Sequence, residues 1–381
     1  MDNKLYKIVL EKISEKGKIT FAEFMDMALF YPSLGYYQKE NPFGTTGSFY
    51  TSVNSSEKFG FALAKSFIYF FNTLDIDYKI CEMGAGSGML ANDILNYLKS
   101  KHPEIYQKTT YTIIEKSEYL IEQQKNLLSD HLGKVIWIDF DSFSNFEGVF
   151  FSNELVDAFP VHRIIKIDGK YKELYLIYHE GKIQFYPDEI SDPKINEFID
   201  KVGLKLVDKQ IADLNIYSGD WIRNLGSKID KGVVITIDYG YTSDKLYSHF
   251  RMDGTVTCYF KHTQNNDFFE RIGFQDITAF VDFTAIQEYG RLGGLNYINL
   301  LPQSLFLVQT GILEFIMGAS TDLERSSIKS LIIPEGGFGT NFHVLIQGKN
   351  VDIPEDFFYK KNSTETYIEL AERYEKLGIQ N

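Results

Sequence analysis

The sequence predicts an α/β protein built around a doubly wound parallel sheet. From Tyr78 onward, the short strand-like runs "YKICEM", "TYTIIE", "KVIWID" and "GVFFSN" are separated by helical patterns, from about Met89 to Leu98 and from about Glu118 to Leu128. Strands that alternate with helices imply parallel pairing through right-handed crossovers. A fifth run, "GVVITIDYG", is apolar enough to be a sheet strand that is buried on both faces.

The first 75 residues predict a helical cap. Leu5, Val9 and Ile13 recur at helical spacing, together with Ile8. Thr20 and Glu23 have the spacing of a capping box that opens "FAEFMDMALF". The following "YPSLGYYQKENPFGTTGSFYTS" is rich in Gly, Pro and Tyr, and a loop of this length in a compact domain is typical of functional loops.

The later segments predict insertions in the sheet domain. After Arg163, "IIKIDGKYKELYLIYHEGKIQFY" contains three strand-like runs separated by Asp-Gly and Glu-Gly turns, which indicates an antiparallel meander. A helical stretch is expected from there to about Ile229, and another over 283–326. The runs "SLIIP" and "TNFHVLIQG", joined across "EGGFG", are predicted as the last two strands, and "ETYIELAERYEKL" as an amphipathic helix.

These patterns divide the chain into three parts. We expect a cap and active-site loop at 1–75, a sheet domain at 76–349 with insertions near 163–230 and 283–326, and a helical tail at 350–381.

Composition excludes several classes of protein. A formal net charge of −13 over 381 residues argues against a general nucleic-acid binder and favours a protein or small-molecule partner, including a cationic one. The longest apolar runs are too short for membrane insertion. The N-terminus lacks the pattern of a signal or transit peptide, so we expect a bacterial cytoplasmic location, or the mitochondrial matrix if a transit peptide has been removed. The His, Cys and acidic residues show no metal-ligand spacing, so we expect no metal.

The stretch "CEMGAGSG" predicts a ligand-binding turn at the end of the first strand. Glycines 84, 86 and 88 follow the acid Glu82, but a dinucleotide fingerprint would need its third glycine at position 89, which is Met. A phosphate cradle therefore fits poorly. A close turn beside a carboxylate suits S-adenosylmethionine, which carries cations and an adenosine but no phosphate.

Acids at the ends of the next two strands extend this site. Glu115 closes "YTIIE", where a carboxylate can accept both ribose hydroxyls. Asp139 or Asp141 follows the third strand and could accept from the adenine amine. The predicted cofactor ligands in this part of the chain are Glu82, Gly84, Ala85, Gly86, Gly88, Glu115 and Asp139.

The end of the fourth strand, "FFSNELVDAFPVHR", indicates the methyl acceptor. It lacks the Asn/Asp-Pro-Pro-aromatic sequence of base-amino methyltransferases and offers Asn153, Glu154 and Asp157 instead. A helical turn would place both acids on one face, where they suit a planar guanidinium. We therefore predict these three residues as catalytic. The alternative is that both acids cap the turn and bind Arg163 or backbone amides.

Six segments in this order resemble the MidA family of adenosylmethionine-dependent methyltransferases, over residues 18 to 347. They are "FGTTGSFYTS", "CEMGAGSG", "FFSNELVDAFPV", "VITIDYGY", "GTVTCYFKH" and "QDITAFVDFTAI". The resemblance implies a class I, Rossmann-like methyltransferase fold and S-adenosylmethionine as cofactor. The family's mitochondrial members methylate arginine in a core complex I subunit during assembly, whereas the substrates of bacterial relatives are poorly defined.

The resemblance also implies further site residues. The N-terminal loop around Gly44, Gly47, Phe49 and Thr51 would close over the cofactor and acceptor, with Gly47 and Thr51 contacting the cofactor. Roles near the site are implied for Asp238, Tyr239, Gly240, Gln275, Asp276 and Asp282. Two departures from the family pattern, Ser48 in place of Asp and Phe280 in place of a frequent His, leave the identity of the acceptor open.

The sequence thus favours a methyltransferase that acts on arginine in a protein. A methyltransferase acting on a small molecule or RNA is one alternative, and an assembly chaperone that binds adenosylmethionine without catalysis is another. Asp276 and Asp282 could also be ordinary caps, His262 and His343 structural histidines, and Tyr36 and Tyr37 either an acceptor channel or packing. The number of methyl groups transferred is open, as is homodimerisation.

Overall fold

The computed structural model describes residues 3–38, 56–261, 263–333 and 341–360. Its strands are β1 (Ile19–Thr20), β2 (Lys79–Met83), β3 (Thr110–Ile114), β4 (Val135–Ile138), β5 (Phe146–Asn153), β6 (His162–Ile167), β7 (Lys170–His179), β8 (Lys182–Asp188), β9 (Ile211–Leu214), β10 (Ile229–Tyr241), β11 (Thr257–Phe260), β12 (Thr263–Asn265), β13 (Asp276–Thr278), β14 (Val281–Asp282), β15 (Asn296–Pro302) and β16 (Phe342–Lys349). Its α-helices are α1 (Lys4–Lys16), α2 (Phe21–Phe30), α3 (Lys58–Thr73), α4 (Met89–Lys101), α5 (Pro103–Lys108), α6 (Glu118–Leu127), α7 (Pro193–Val202), α8 (Ile216–Lys228), α9 (Ser243–Leu246), α10 (Phe283–Leu292), α11 (Gln303–Gln309), α12 (Ile312–Met317) and α13 (Asp322–Ser330).

The central sheet has the strand order β4-β3-β2-β5-β10-β16-β15. Strands β4, β3, β2, β5 and β10 are parallel, whereas β16 runs antiparallel to both β10 and β15. The chain moves from β2 outward to β4 and then returns to the other side of β2 through β5. The predicted doubly wound sheet is therefore confirmed, and the carboxyl end of β2 lies at its topological switch point, where such folds bind ligands.

Helices cover both faces of this sheet. The neighbours Phe150 and Phe151 on β5 show the two cores, because successive side chains of a strand point to opposite faces. Phe151 packs against Phe67 of α3, with ring centroids 5.2 Å apart. Phe150 joins a second core with Trp221 of α8 and Phe283 of α10.

The predicted antiparallel meander is confirmed as β6, β7 and β8. Asp168 and Gly169 join the first two strands, and Glu180 and Gly181 the next two, all with positive φ, as two-residue hairpin turns require. The strand β9 pairs with β6 and interrupts the stretch that was expected to be helical up to about Ile229. The expectation of a continuous helical region there is wrong.

The N-terminal cap is attached to this inserted sheet. The predicted capping box is present, since the Thr20 side chain accepts from the Glu23 N–H and Glu23 accepts from the Thr20 N–H. Strand β1 pairs antiparallel with β7, with Ile19 opposite Leu176. The buried Arg163 Nε lies 3.0 Å from Asp213 Oδ1, and its guanidinium lies 5.4 Å from the Phe21 ring at the start of α2. These contacts fix α2 relative to the insertion.

The predicted helical run over 283–326 is wrong at β15. This strand pairs with β16, but its register shifts between Tyr297 and Asn299, as at a β-bulge. The buried Ile298 and Leu301 therefore lie three positions apart, which is a helical spacing rather than the alternation of a strand.

The predicted strand "SLIIP" is also wrong. Ser330 is the last residue of α13, and the buried Leu331 belongs to the turn that follows. The run "TNFHVLIQG" does contain a strand, β16. The "EGGFG" connection and the predicted tail helix lie outside the described residues.

Candidate active site

A cavity of about 640 Å³ lies at the carboxyl ends of β2, β3 and β5. The central sheet supplies the glycine turn, Glu115 and the residues after β5, and the cap supplies Asp26, Phe30 and Tyr37. The walls are Asp26, Phe30, Tyr37, Gln38, Glu82, Met83, Gly84, Ala85, Gly86, Ser87, Leu90, Ile114, Glu115, Lys116, Ser117, Leu120, Phe140, Asn153, Glu154, Leu155, Ala158, Phe159, Pro160 and Trp221.

The glycine turn after β2 needs its glycines. Gly84, Gly86 and Gly88 have φ angles of +78°, +52° and +85°, which side-chain-bearing residues rarely adopt. A Cβ atom on Gly84 would lie 2.8 Å from Leu155 Cδ1. The Gly88 N–H donates to the Ala85 carbonyl over 2.8 Å, and α4 begins at the next residue. The turn therefore exposes backbone at the start of a helix, where its free N–H groups can meet a ligand.

Glu82 is buried on the strand that precedes this turn. The Tyr111 hydroxyl donates to Glu82 Oε2 over 2.6 Å. Burial and the nearby charge of Glu115, opposed by the Tyr111 hydrogen bond, together raise the pKa of the Glu82 carboxyl to about 7. A cationic ligand at this wall would favour the ionised carboxylate.

Glu115 lies at the carboxyl end of β3 and lines the same cavity. Its Oε1 accepts from the N–H groups of Lys116 and Ser117 over 2.8 and 3.0 Å. Burial raises the pKa of Glu115, although these hydrogen bonds oppose the rise. The carboxylate is therefore held in a fixed orientation, as a ligand to paired hydroxyls needs to be.

The prediction that Asp139 binds the cofactor is corrected by the structure, which places this residue outside the cavity wall. Its side chain is exposed, and its two oxygens accept from the Ser142 N–H and hydroxyl over 2.8 and 2.9 Å. These bonds lower the pKa of Asp139. The carboxylate closes a turn and does not line the cavity, whereas the neighbouring Phe140 does. Asp141 is exposed and is not part of the wall either.

Asn153 ends β5, Glu154 follows it, and both residues line the cavity. Glu154 has a φ angle of +49°, a left-handed conformation that costs a non-glycine residue about 1–2 kcal/mol. Its N–H donates to the Ile237 carbonyl over 2.9 Å, and Asn153 Nδ2 donates to Glu154 Oε1 over 3.3 Å. The buried Asn153 Oδ1 accepts from no described residue.

The predicted helical turn from Glu154 to Asp157 is wrong. A short 3₁₀ turn covers only Val156–Ala158, and Glu154 lies before it in the left-handed conformation. The two acids therefore do not share a helix face. Asp157 lies behind the cavity wall, where the Tyr239 hydroxyl donates to its Oδ2 over 2.6 Å. The alternative partner Arg163 pairs with Asp213 instead.

Asp157, Asp238 and Asp276 form a buried group that we term the acid cluster. Asp238 accepts from the Val156 and Asp157 N–H groups over 3.0 and 3.3 Å. Burial raises the pKa of Asp157 to about 6 and, together with the charge of Asp157, that of Asp276 to about 7. Burial and the charges of Asp157 and Glu154 raise the pKa of Asp238 well above its ordinary value.

Two tyrosines donate hydrogen bonds to the acid cluster. Tyr37 from the cap donates to both oxygens of Asp276 over 3.0 Å, and Tyr239 donates to Asp157. Within the described ranges, no lysine or arginine forms an ion pair with any of the three aspartates. The raised pKa values mean that the acid cluster is only partly ionised near neutral pH, and a cation bound beside it would favour the ionised forms.

The structure also locates the remaining predicted residues. Asp282 accepts from Thr284 and Ala285 at the start of α10, so its reading as a cap is confirmed. His343 is outside the cavity wall, and burial lowers its pKa. Phe280 packs against Tyr239 with ring centroids 5.4 Å apart. Gln275 is buried and donates to the Asp267 carbonyl over 2.8 Å.

The remaining predicted residues lie outside the described parts of the chain. They are Gly44, Gly47, Ser48, Phe49, Thr51 and His262.

Sequence reasoning missed several parts of the site. Asp26 and Trp221 line the cavity from α2 and α8, and no local motif marks them. Burial raises the pKa of Asp26, against the nearby charges of Lys12 and Lys116. Gln124 is buried beneath the glycine turn, and here a signal existed. It replaces an apolar residue between the buried Leu120 and Leu128, four positions to either side.

The described residues were also compared with the requirements of a metal site and of a membrane-spanning helix. Among the described residues, no three His, Cys, Asp or Glu side chains are grouped so that they could hold a metal ion. In the same parts of the chain, the helices are too short or too polar to cross a membrane.

Comparison with known proteins points to one family. A model of S-adenosyl-L-methionine-dependent methyltransferases matches residues 62–300. The chain is 25% identical over 345 residues to the mitochondrial protein arginine methyltransferase NDUFAF7 homolog of Caenorhabditis elegans, covering 81% of this chain and 77% of that protein. It is 23% identical over 336 residues to the mitochondrial protein arginine methyltransferase NDUFAF7 of Homo sapiens. This match covers 80% of this chain and 72% of that protein.

A solved structure is similar over almost the whole chain. It is a protein from Burkholderia thailandensis bound to S-adenosyl-homocysteine, with a TM-score of 0.84 and 25% identity, and the match covers 95% of this chain and 96% of that one.

Proposed function

Because this chain belongs to the family of S-adenosyl-L-methionine-dependent methyltransferases, we propose that it methylates the guanidinium of arginine in a protein substrate. The class I methyltransferase fold and the cofactor that the sequence predicted are confirmed by the family match and by the similar structure with S-adenosyl-homocysteine. The nature of the acceptor and the roles of individual residues are our proposal.

The cavity fits the family's cofactor. When bound, S-adenosylmethionine supplies a methyl group on a positively charged sulfur. Glu115 would accept from the ribose hydroxyls, and the turn of Gly84 to Gly88 would lie against the amino-acid arm. The carboxyl of Glu82, which lines the cavity, offers an acceptor for the cofactor's ammonium group. Gly47 and Thr51 remain predicted contacts in a segment outside the described residues.

The observation that carries the arginine proposal is the acid cluster without a cation. Three buried aspartates lie behind Glu154, and no described lysine or arginine pairs with them. A guanidinium is permanently charged, so it would be attracted to the ionised forms of these acids and would favour them. A neutral hydroxyl would gain no such attraction, and the ionised carboxylates would repel an RNA phosphate.

The residues of the fourth strand would orient and deprotonate the acceptor. Glu154 lies in the wall and would bind the guanidinium, which concentrates the positive charge away from the attacking nitrogen. A nitrogen that receives the methyl group would have to release one proton. Glu154 lines the cavity and would accept this proton. Asp157 lies behind the wall, and its carboxyl, whose pKa burial raises to about 6, would support the site from there.

The similar proteins support the same acceptor. The relatives from Caenorhabditis elegans and Homo sapiens are named protein arginine methyltransferases. We extend the proposal to a subunit of respiratory complex I as acceptor and to a cytoplasmic or mitochondrial-matrix location. This extension rests on the family resemblance and on the mitochondrial relatives, and it concerns the biological setting rather than the chemistry of the site.

The experiment is a labelling assay. Purified protein is incubated with methyl-labelled S-adenosylmethionine and an extract of cells that lack it, and the proteins are then hydrolysed to identify the labelled amino acid. We expect labelled methylarginine, with no label when Glu154→Gln replaces the wild type. Label in another amino acid, in RNA or in a small molecule would overturn the arginine proposal. Cofactor binding without any transfer would favour the noncatalytic chaperone.

A further inference from the structure

We propose that Gln124 is a positioning residue for the cofactor, because its side-chain amide holds the glycine turn and Glu115 in one arrangement. The proposal concerns the cofactor side of the cavity and is independent of the identity of the acceptor.

The Gln124 amide is fully buried and is bonded at both ends. Its Nε2 donates to the Gly86 carbonyl over 2.8 Å, and its Oε1 accepts from the Trp137 indole N–H over 2.9 Å. Indole can only donate, so Trp137 fixes which end of the amide faces the glycine turn. The same Nε2 lies 3.5 Å from Glu115 Oε2. One side chain thus connects the segments that follow β2 and β3 with β4.

The contact with the glycine turn is also steric. A Cβ atom on Gly88 would lie 3.1 Å from Gln124 Cγ, so the turn passes directly over this side chain. The Gly86 carbonyl points to the amide, and Gly86 itself lines the cavity. Because a carbonyl and the following N–H belong to one planar peptide, fixing the Gly86 carbonyl also fixes the N–H of Ser87, which lines the cavity as well.

A polar side chain at this buried position has a desolvation cost that an apolar side chain would not have. Leu120, Gln124 and Leu128 form the buried stripe of α6 and the residue that follows it, and an apolar side chain would fill the middle position without an amide to satisfy. The donor at Gln124 also lowers the pKa of Glu115 and so favours the ionised form that accepts hydroxyls. The amide therefore acts on both cofactor-facing groups.

The test measures the affinity of S-adenosyl-homocysteine by calorimetry for three variants. Gln124→Met preserves the length of the side chain but removes the donor, and we expect affinity to fall about tenfold, the equivalent of one or two hydrogen bonds. Gln124→Glu can donate to the Gly86 carbonyl only when protonated. Its affinity relative to wild type at the same pH should therefore be low at pH 8 and recover toward pH 6.

Gln123→Met is the matched control, since Gln123 is the neighbouring residue on α6 and donates to Tyr119 of the same helix. It should retain wild-type affinity. Unchanged affinity in folded Gln124→Met, or weak binding by Gln124→Glu at both pH values, would overturn the proposal and leave Gln124 a packing residue.

If Gln124→Met does not fold, Trp137→Phe removes only the donor that orients the amide. We then expect weaker binding by Trp137→Phe, and wild-type affinity would overturn the proposal.

Discussion

The hydroxyl of Tyr37 lies 3.0 Å from both carboxylate oxygens of Asp276, 239 residues further along the chain. This contact joins the cap to β13 at the cavity wall, since Tyr37 lines the cavity and Asp276 belongs to the acid cluster. The tyrosine is therefore both a wall of the site and a hydrogen-bond donor to a buried acid.

Tyr37→Phe should destabilise the protein and impair turnover. It leaves Asp276 without its side-chain donor, and an unsatisfied buried acceptor costs about 1–3 kcal/mol. Urea denaturation gives the free energy of unfolding, and labelled methyl transfer gives the activity. Tyr6→Phe is the control, because the Tyr6 hydroxyl bonds to none of the described residues. Equal stability of Tyr37→Phe and wild type would show that the contact is dispensable.

Glu154→Gln should lower methyl transfer by about 100-fold or more, the scale of losing a group that stabilises charge in the transition state. Affinity for S-adenosyl-homocysteine should stay within about twofold of wild type, because Glu154 belongs to the acceptor side. Glu147→Gln, on the same strand and paired with Lys231, is the control. Full activity of Glu154→Gln would remove Glu154 from the catalytic residues.

The free energy of unfolding should fall as pH rises from about 4 to 7. Burial raises the pKa of Glu82 and Asp276 to about 7 and that of Asp157 to about 6, so the folded protein binds protons that the unfolded chain releases near pH 4. Each pKa unit corresponds to about 1.4 kcal/mol, so the total loss is on the order of several kcal/mol. Asp276→Asn should reduce this dependence.

The measurement is urea denaturation at pH 5 and pH 7.5. Urea is preferable to guanidinium chloride because guanidinium resembles the proposed acceptor. A protein more stable at pH 7.5 than at pH 5 would contradict the expected sign. An undiminished pH dependence in Asp276→Asn would exclude Asp276 as one of its sources.

Gly84→Ala should weaken cofactor binding, because its Cβ would lie 2.8 Å from Leu155 Cδ1 and its φ angle is +78°. Gly181→Ala is the matched control, since Gly181 has a φ angle of +81° and no atom lies within 4 Å of its Cβ position. Both variants should lose about 1 kcal/mol to backbone strain. Only Gly84→Ala should also lose affinity for S-adenosyl-homocysteine, and equal affinities for the two would refute a steric role for Leu155.

The cofactor half of the site was predictable because it depends on local pattern. A strand followed by glycines, and an acid at the end of the next strand, place Gly84 and Glu115 at one sheet edge in any doubly wound fold. Asp139 shows the limit of that rule. The rule predicts an acid at the end of the strand. The carboxylate of Asp139 instead accepts from Ser142, three residues later, and does not line the cavity.

The acceptor half depends on contacts between distant segments. Periodicity predicted a helical turn for Glu154 and Asp157, but Asp238 accepts from the Val156 and Asp157 N–H groups and Glu154 adopts a left-handed conformation. Strand β15 was missed because its bulge gives the core residues helical spacing. Gln124 could have been suspected as a polar residue within an apolar stripe, but its partners were not readable from the sequence.

The pairing of β1 with β7 has a consequence for biosynthesis. Ile19 lies opposite Leu176, and Asn3 donates to the carbonyl of Ile272, so the cap is held by segments that leave the ribosome long after it. Contacts of such sequence separation form late, because loop closure must precede them. During synthesis, the apolar face of α2 therefore stays exposed until these later segments have been made, whereas β2 to β5 can already assemble. The helices α1 and α2 therefore reach their final contacts only after β7 and the segment around Ile272 have been made, and the part of the cavity wall that the cap supplies is completed only then.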